Sequence, residues 1–262
     1  AIIVSMQNKD KIRIVILAAG KGTRMQSDLP KVLAQVKGTS MIKHLLHSVE
    51  KSGIDEHPVI IVGYKKEMVI DECGDKYHYI DQEKLLGTGY AVMQTKNYLE
   101  NKADHIIVLY GDQPYTSVQT IRNIVEKHIN SGKIITMATV RVPDFTDWRI
   151  CFNNFSRVVR DSAGKIIRTI ERKDATEEEL KIKEVNPCYF CFESKWLWEN
   201  LPKLKNENAQ NEYYLTDLIK IANRENIEIE SVEIDAHEAL GANTKEELEV
   251  LENIVIKLDS IT

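Results

Sequence analysis

Leu17-Ala18-Ala19-Gly20-Lys21-Gly22-Thr23-Arg24-Met25, with Pro30-Lys31 close behind, begins where the apolar run Ile12–Leu17 ends. A buried strand that runs out into small residues, two glycines and basic side chains suits the holding of a nucleoside triphosphate. Gly20 and Gly22 let the backbone turn tightly and bring bare N–H groups up to phosphate oxygens. Arg24 and Lys31 supply fixed positive charge where a polyphosphate would lie. The same pattern also serves as a plain strand-to-helix turn. It is not the dinucleotide fingerprint, because Met25 stands where a third glycine would allow close helix–strand packing. It is not a Walker loop either, since the Gly-Lys-Ser/Thr triplet is missing.

Around this stretch, short β-rich apolar runs alternate with segments of helical period. Val59–Val62, Ile106–Tyr110 and Ile134–Val142 read with Ile12–Leu17 as strands covered on both faces, as in a parallel sheet. Met41, Ile42, Leu45, Leu46 and Val49 form one helical stripe, opened by Thr39 or Ser40 and closed by Gly53. Val118, Ile121, Ile124, Val125 and Ile129 form another. This alternation predicts an α/β fold with a doubly wound sheet, whose ligands bind beyond the carboxyl ends of the strands.

From Trp148 onward the runs shorten. Arg149–Phe152, Val158–Val159 and Ile166–Ile170, with turn signals at Asn153-Asn154 and Ala163-Gly164, predict hairpin structure, a smaller β-rich lobe over the sheet edge. Val185–Phe192 reads as one further strand, Tyr214–Ala222 as a helix and Ile227–Ile234 as an alternating strand. Thr244-Lys245-Glu246-Glu247 is a capping box opening a last helix with Leu248, Leu251, Ile254, Val255 and Leu258 inward. One domain over 1–262 is expected, with a nucleotide-binding half (11–145), a sugar-side half (146–243) and a C-terminal helix (244–262).

The 262-residue chain is 43% hydrophobic, which is ordinary for a folded domain with a full core. A net charge of -5 with dispersed basic residues argues against a nucleic-acid partner. No apolar run reaches the roughly 20 residues that span a bilayer. Ala1–Asp10 has one lysine and a short apolar patch, unlike a signal peptide. A cytoplasmic protein without a membrane partner is expected. Cys73, Cys151, Cys188 and Cys191 are too scattered for a disulfide framework and suit a reducing compartment. Cys188 and Cys191 spell CxxC within an apolar stretch, where they read as core thiols rather than metal ligands.

Several polar positions are candidates for the same pocket, although each also reads alone as a cap, a turn or a solvated strand position. Gln82 offers an amide donor and acceptor that match a pyrimidine edge, and Gly87-Thr88-Gly89 lets a base lie against backbone. Asp112 ends the Ile106–Tyr110 strand with a carboxylate well placed for Mg²⁺, and Asn243 offers an amide oxygen as a second ligand. Glu171 and Asn186 could hydrogen-bond sugar hydroxyls, and Tyr214 suits a sugar wall.

Taken together these residues closely resemble the uridylyltransferase (pyrophosphorylase) domain of the bacterial bifunctional N-acetylglucosamine-1-phosphate uridylyltransferase/glucosamine-1-phosphate acetyltransferase. The match runs from about Arg13 to about Leu251. It is carried by the order and spacing of LAAGKGTRM with SDLPKVL, QxxxLGTGxA, LYGDxP, ERKDAT, EVN and NAQxEYYLTD. The resemblance implies a Rossmann-like mixed sheet of the sugar nucleotidyltransferase type. It further implies that UTP and N-acetylglucosamine 1-phosphate give UDP-N-acetylglucosamine and pyrophosphate with Mg²⁺ as cofactor. On this reading Leu17, Ala18, Ala19, Gly20 and Lys31 hold the triphosphate, and Gln82, Gly87 and Thr88 read uracil. Arg24, Lys31 and Asp112 are catalytic, Asp112 and Asn243 ligate the metal, and Tyr110, Trp148, Glu171, Asn186 and Tyr214 line the sugar pocket.

The chain departs from the family pattern on the sugar side. Trp148, in Thr146-Asp147-Trp148-Arg149-Ile150, replaces a glycine, and Pro187-Cys188 stands where Thr-Gly follows the pocket asparagine. A sibling transferase for another sugar or alcohol phosphate therefore stays open, as does a non-catalytic sugar-nucleotide sensor. The family's hexapeptide-repeat β-helix has no counterpart in the sequence, so acetyltransferase activity is not expected.

Overall fold

The computed structural model describes residues 11–25 and 27–259, with side chains described to residue 254. Ala1–Asp10, read above as unlike a signal peptide, and the side chains of Val255 and Leu258 lie outside that description. Ile12–Leu17 forms strand β1. A short ribbon, β2 (Gln35–Val36) with β3 (Thr39–Ser40), leads into the helix Met41–Ser52. Strands β4 (Val59–Val62), β5 (His78–Asp81), β6 (His105–Tyr110) and β7 (Ile135–Arg141) follow. The second half adds β8 (Ser156–Arg160), β9 (Ile166–Ile170), β10 (Glu184–Asn186), β11 (Phe190–Glu193) and β12 (Ile229–Glu233).

Among the described residues ten of these strands make one mixed sheet, in the order β5-β4-β1-β6-β11-β7-β10-β8-β9, with β12 joined to β7. Strands β5, β4, β1 and β6 run parallel, and β11 is antiparallel to β6 and β7. Both faces are covered, as the near-continuous apolarity of β1, interrupted only by Arg13, requires. Ile14 and Ile16 pack into one cluster with the helices Met41–Ser52 and Val118–Ser131, and Val15 points into a second with Ala91, Val92 and Leu197. Burying each such aliphatic side chain stabilises the fold by about 1.5–3 kcal/mol.

Helix Met41–Ser52 buries the expected stripe and ends at Gly53, whose φ of 67° is the left-handed C-cap. Ser40 occupies its N-cap, but the hydroxyl is turned away to the Glu72 carboxylate (2.8 Å). Helix Val118–Ser131 is capped in the ordinary way, the Ser117 hydroxyl accepting the Thr120 N–H at 3.0 Å.

Three segments differ from expectation. Arg149–Phe152 is not a strand but part of a 3₁₀ segment, Asp147–Asn154. The Asp144 carboxylate curls its entrance by accepting from the Thr146 N–H and the Arg149 guanidinium. The buried Arg157 side chain collects carbonyls at its exit, those of Phe152 and Asn153. Val185–Phe192 is two strands, β10 and β11, broken at Pro187-Cys188. Proline lacks the N–H that a ladder needs, and the Cys188 N–H is taken by the Asn186 side chain (2.7 Å). Tyr214–Ala222 begins with a 3₁₀ turn, Leu215–Asp217, before the helix Leu218–Arg224. The β8–β9 hairpin extends the main sheet through β10. All four cysteines are free, with Cys151 and Cys191 buried.

Candidate active site

The carboxyl ends of β1, β4 and β6 open on one cavity of about 350 Å³. Leu17, Ala18, Ala19, Gly20, Lys31, Gln82, Gly87, Thr88, Tyr110 and Asp112 all line it. The expected nucleotide-binding residues therefore share one wall system, except that Arg24, also expected at the polyphosphate, does not line it. Arg24 and Lys31 come from two short 3₁₀ turns, Thr23–Met25 and Lys31–Leu33, the second begun by Pro30.

At one end of the cavity the Lys31 ammonium is ion-paired with the Asp112 carboxylate. It also donates to the Asn243 amide oxygen at 2.5 Å, and the Arg24 guanidinium donates to the same oxygen at 3.1 Å. Asn243 reaches this point because Gly241 passes the β6 tip closely: a Cβ on Gly241 would stand 2.8 Å from the Asp112 carbonyl oxygen. The Asn243 N–H donates to the Glu247 carboxylate (2.7 Å), and the Glu247 N–H donates to the Thr244 hydroxyl (3.2 Å). The predicted capping box is present in a shifted form that anchors Asn243. Asp112 and Asn243 present hard oxygen donors to a cation, here the ammonium, and such donors suit Mg²⁺ sharing its shell with phosphates and water. Among the described residues no group of three or more His, Cys, Asp or Glu forms a metal cluster.

The other end of the cavity is built from the 82–89 turn. Gln82 is 5% exposed and donates to the Gly87 carbonyl at 3.3 Å. Gly87 has φ of 106°, and a Cβ there would lie 2.7 Å from the Tyr213 carbonyl oxygen. The Thr88 hydroxyl accepts the Leu215 N–H at 3.0 Å, so it ties two segments rather than capping its own helix.

The expected sugar-side residues are dispersed. Tyr110 lines the same cavity, with Thr88 and Cys188 beside its phenol. Burial pushes that phenol well above its ordinary range. Glu171 and Tyr214 line a second cavity of about 270 Å³. Burial raises the Glu171 carboxyl, against the opposing hydrogen bond from the Thr216 hydroxyl (3.1 Å). Asn186 is 1% exposed; its side-chain oxygen is engaged by Cys188, and its amide nitrogen has no partner among the described residues. Trp148 lines neither cavity and stacks on His237, with ring centroids 4.3 Å apart.

Among the lining residues sequence reasoning passed over are Lys21, Thr23, Leu85 and Glu212, and it also missed the anchor Glu247. Lys21 and Thr23 sit inside the quoted glycine stretch and Glu212 inside the NAQxEYYLTD motif, so the signal was adjacent. Leu85 carries no chemical signal in sequence.

Comparison with known proteins places this geometry. The family model of the MobA-like NTP transferase domain matches residues 14–217. The chain is 42% identical over 236 residues to the bifunctional protein GlmU of Limosilactobacillus reuteri, covering 90% of this chain and 50% of that protein. It is 40% identical over 238 residues to GlmU of Acetivibrio thermocellus, covering 89% and 49%. The chain thus spans about half the length of these relatives. A Bacillus anthracis structure assigned as a glucose-1-phosphate thymidylyltransferase, in complex with a sucrose, superposes with a TM-score of 0.73 at 21% identity, covering 93% of this chain and 94% of that one. A CMP:2-keto-3-deoxy-manno-octonic acid synthetase complexed with CTP superposes at 0.68 and 15%, covering 95% and 99%. These two structures show the shared Rossmann-like mixed α/β fold. With a family model matched across most of its length, the chain belongs to the MobA-like NTP transferase domain family.

Proposed function

We propose that this domain joins UTP and N-acetylglucosamine 1-phosphate, giving UDP-N-acetylglucosamine and pyrophosphate. The observation that carries the reading is the meeting of Lys31, Arg24, Asp112 and Asn243 at one end of a cavity that has Gln82, Gly87 and Thr88 at its other end. Charge gathers where a triphosphate needs it, and an amide with donor and acceptor waits where a base would lie.

In the proposed reaction an anionic phosphate oxygen of the sugar phosphate attacks the α-phosphorus in line. A new P–O bond forms there as the bond to the bridging oxygen of the β-phosphate breaks, and pyrophosphate leaves. The nucleophile is already ionised at neutral pH, so no general base is assigned. Lys31 and Arg24 offset charge on the α-phosphate and the leaving group, and the small residues Ala18 to Gly20 let backbone approach the phosphates. Asp112 and Asn243 would hold Mg²⁺, which supplies further neutralisation of phosphate charge when bound.

A second reading, a sibling transferase for another sugar or alcohol phosphate, is favoured by Cys188. This residue takes φ of 68° and places its thiol against the Tyr110 phenol. Pyrophosphate release with UTP, CTP and ATP against a panel of sugar 1-phosphates separates the two. UTP with N-acetylglucosamine 1-phosphate should give the highest kcat/KM. A higher value for another pair supports the sibling reading, and no release from any pair ends both.

A further inference from the structure

The main sheet is interrupted between β10 and β11. Val185 pairs with Val140 of β7 and Phe190 with Met137, so residues 186–189 stand against 138 and 139 alone. The surplus residues leave the ladder, and their backbone groups need partners elsewhere. Pro187 has no N–H to place, and the Cys188 N–H donates to the Asn186 side-chain oxygen at 2.7 Å. Cys188 takes φ of 68°, a left-handed conformation that a Cβ disfavours and that the surroundings must hold. Its thiol lies beside the phenol of Tyr110, a wall residue of the main cavity. The Pro187 carbonyl is held by Gln113. This side chain is 6% exposed, and its amide nitrogen donates to the Pro187 carbonyl at 3.0 Å and to the Ala239 carbonyl at 3.2 Å. Both partners are acceptors, so the amide nitrogen must face them. The amide oxygen has no partner among the described residues. The Gln113 N–H donates to the Tyr110 carbonyl at 3.1 Å and closes the turn that carries Asp112. One residue thus ties the break in the sheet to the tip of β6.

We propose that Gln113 is a positioning residue for the second substrate: its amide donor holds the Pro187-Cys188 break, and with it the left-handed Cys188 and the Asn186 side chain, in the arrangement that a sugar phosphate meets. The inference rests on the transferase reading of the cavity. Without that donor the Pro187 carbonyl loses a buried partner, and Cys188 is released from a conformation that glycine alone takes without strain. The sugar phosphate would then meet a wall that has first to be ordered. The nucleoside end, at Gln82, Gly87 and Thr88, is built from a different segment and feels less of the loss.

The test joins steady-state pyrophosphate release, using the sugar 1-phosphate of highest kcat/KM in the panel, to calorimetric binding of UTP with Mg²⁺. The proteins are the wild type, Gln113→Leu, Cys188→Gly and the double variant. Gln113→Asn, an amide on a shorter stem, takes the place of Gln113→Leu if the latter does not fold. Gln113→Leu should raise KM for the sugar phosphate by about fivefold or more, the size of one neutral hydrogen bond, and should raise the UTP Kd by clearly less. In the Cys188→Gly background the same substitution should cost less than half as much on a logarithmic scale, because glycine needs no support at positive φ. An unchanged KM, equal losses for the two substrates, or the same loss in both backgrounds overturns the proposal and leaves Gln113 as core filling. A wild type that releases pyrophosphate with no sugar phosphate overturns it together with the transferase reading, a result seen before any variant is compared.

Discussion

Lys31 and Asp112 form an ion pair although they sit on turns after different strands, β1 and β6. The register of the sheet brings this about. Leu17 pairs with Tyr110, so the two strands end level and their following turns share one space. Removing either charge strips a preorganised element from the proposed site of phosphate chemistry. Lys31→Ala and Asp112→Ala should each lower kcat by of order 10²-fold or more. Steady-state pyrophosphate release checks this, and near-normal kcat in either variant refutes the role assigned to it.

Two glycines of the site should respond differently to the same substitution. Nothing lies within 4 Å of a Cβ on Gly20, whereas one on Gly87 would strike Tyr213 backbone at a φ of 106°. Gly20→Ala should fold with an unchanged melting temperature and bind UTP more weakly, because its methyl would fill ligand space. Gly87→Ala should itself be destabilised, by about 1–3 kcal/mol from backbone strain. Urea titration beside nucleotide titration distinguishes the two. An unstable Gly20→Ala protein would show that the 18–20 turn is packed rather than open.

Glu247 acts one step from the proposed metal donors. Its carboxylate accepts the Asn243 N–H, and the Asn243 side-chain oxygen faces Lys31 and Arg24. Outer partners of this kind tune metal affinity by about 10–100-fold. Glu247→Ala should raise the Mg²⁺ concentration for half-maximal rate by at least tenfold, with most of kcat recovered at saturating Mg²⁺. An unchanged Mg²⁺ titration would leave Glu247 as a helix cap only.

The nucleotide side of this fold was legible because its signals are local. Strand β1 and the Gly20 turn are contiguous, and Ser40 to Gly53 contains a whole helix with both ends marked. Asp112 and Asn243 were each ambiguous alone, and their meeting at Lys31 depends on the close passage of Gly241, which no local pattern encodes. The second half resisted for a related reason. Trp148 was expected at the sugar, but its conformation is set by the Asp144–Arg149 contact and the stack on His237. Both are tertiary. Val185–Phe192 was read through as one strand, and Pro187, noted only as a departure from the family pattern, is where it breaks.

A histidine pair away from the site, with His128 buried and His105 half-buried, gives a prediction about pH. His128 is 1% exposed, with its Nε2 3.0 Å from the His105 Nδ1 and its Nδ1 2.9 Å from the Thr136 hydroxyl. Burial, with a smaller contribution from His105, depresses its pKa from 6.5 to about 3. The folded state therefore holds His128 neutral while the unfolded chain takes up a proton below about pH 6.5. Stability from this residue is fully present above that pH and declines as pH falls toward about 3. At pH 5 the loss is about 2 kcal/mol, from 1.36 kcal/mol per pKa unit. Urea midpoints of the wild type should fall between pH 7 and pH 5 by more than those of His128→Gln, which has no proton to gain at that position. Parallel declines in the two proteins would assign the acid sensitivity to other groups.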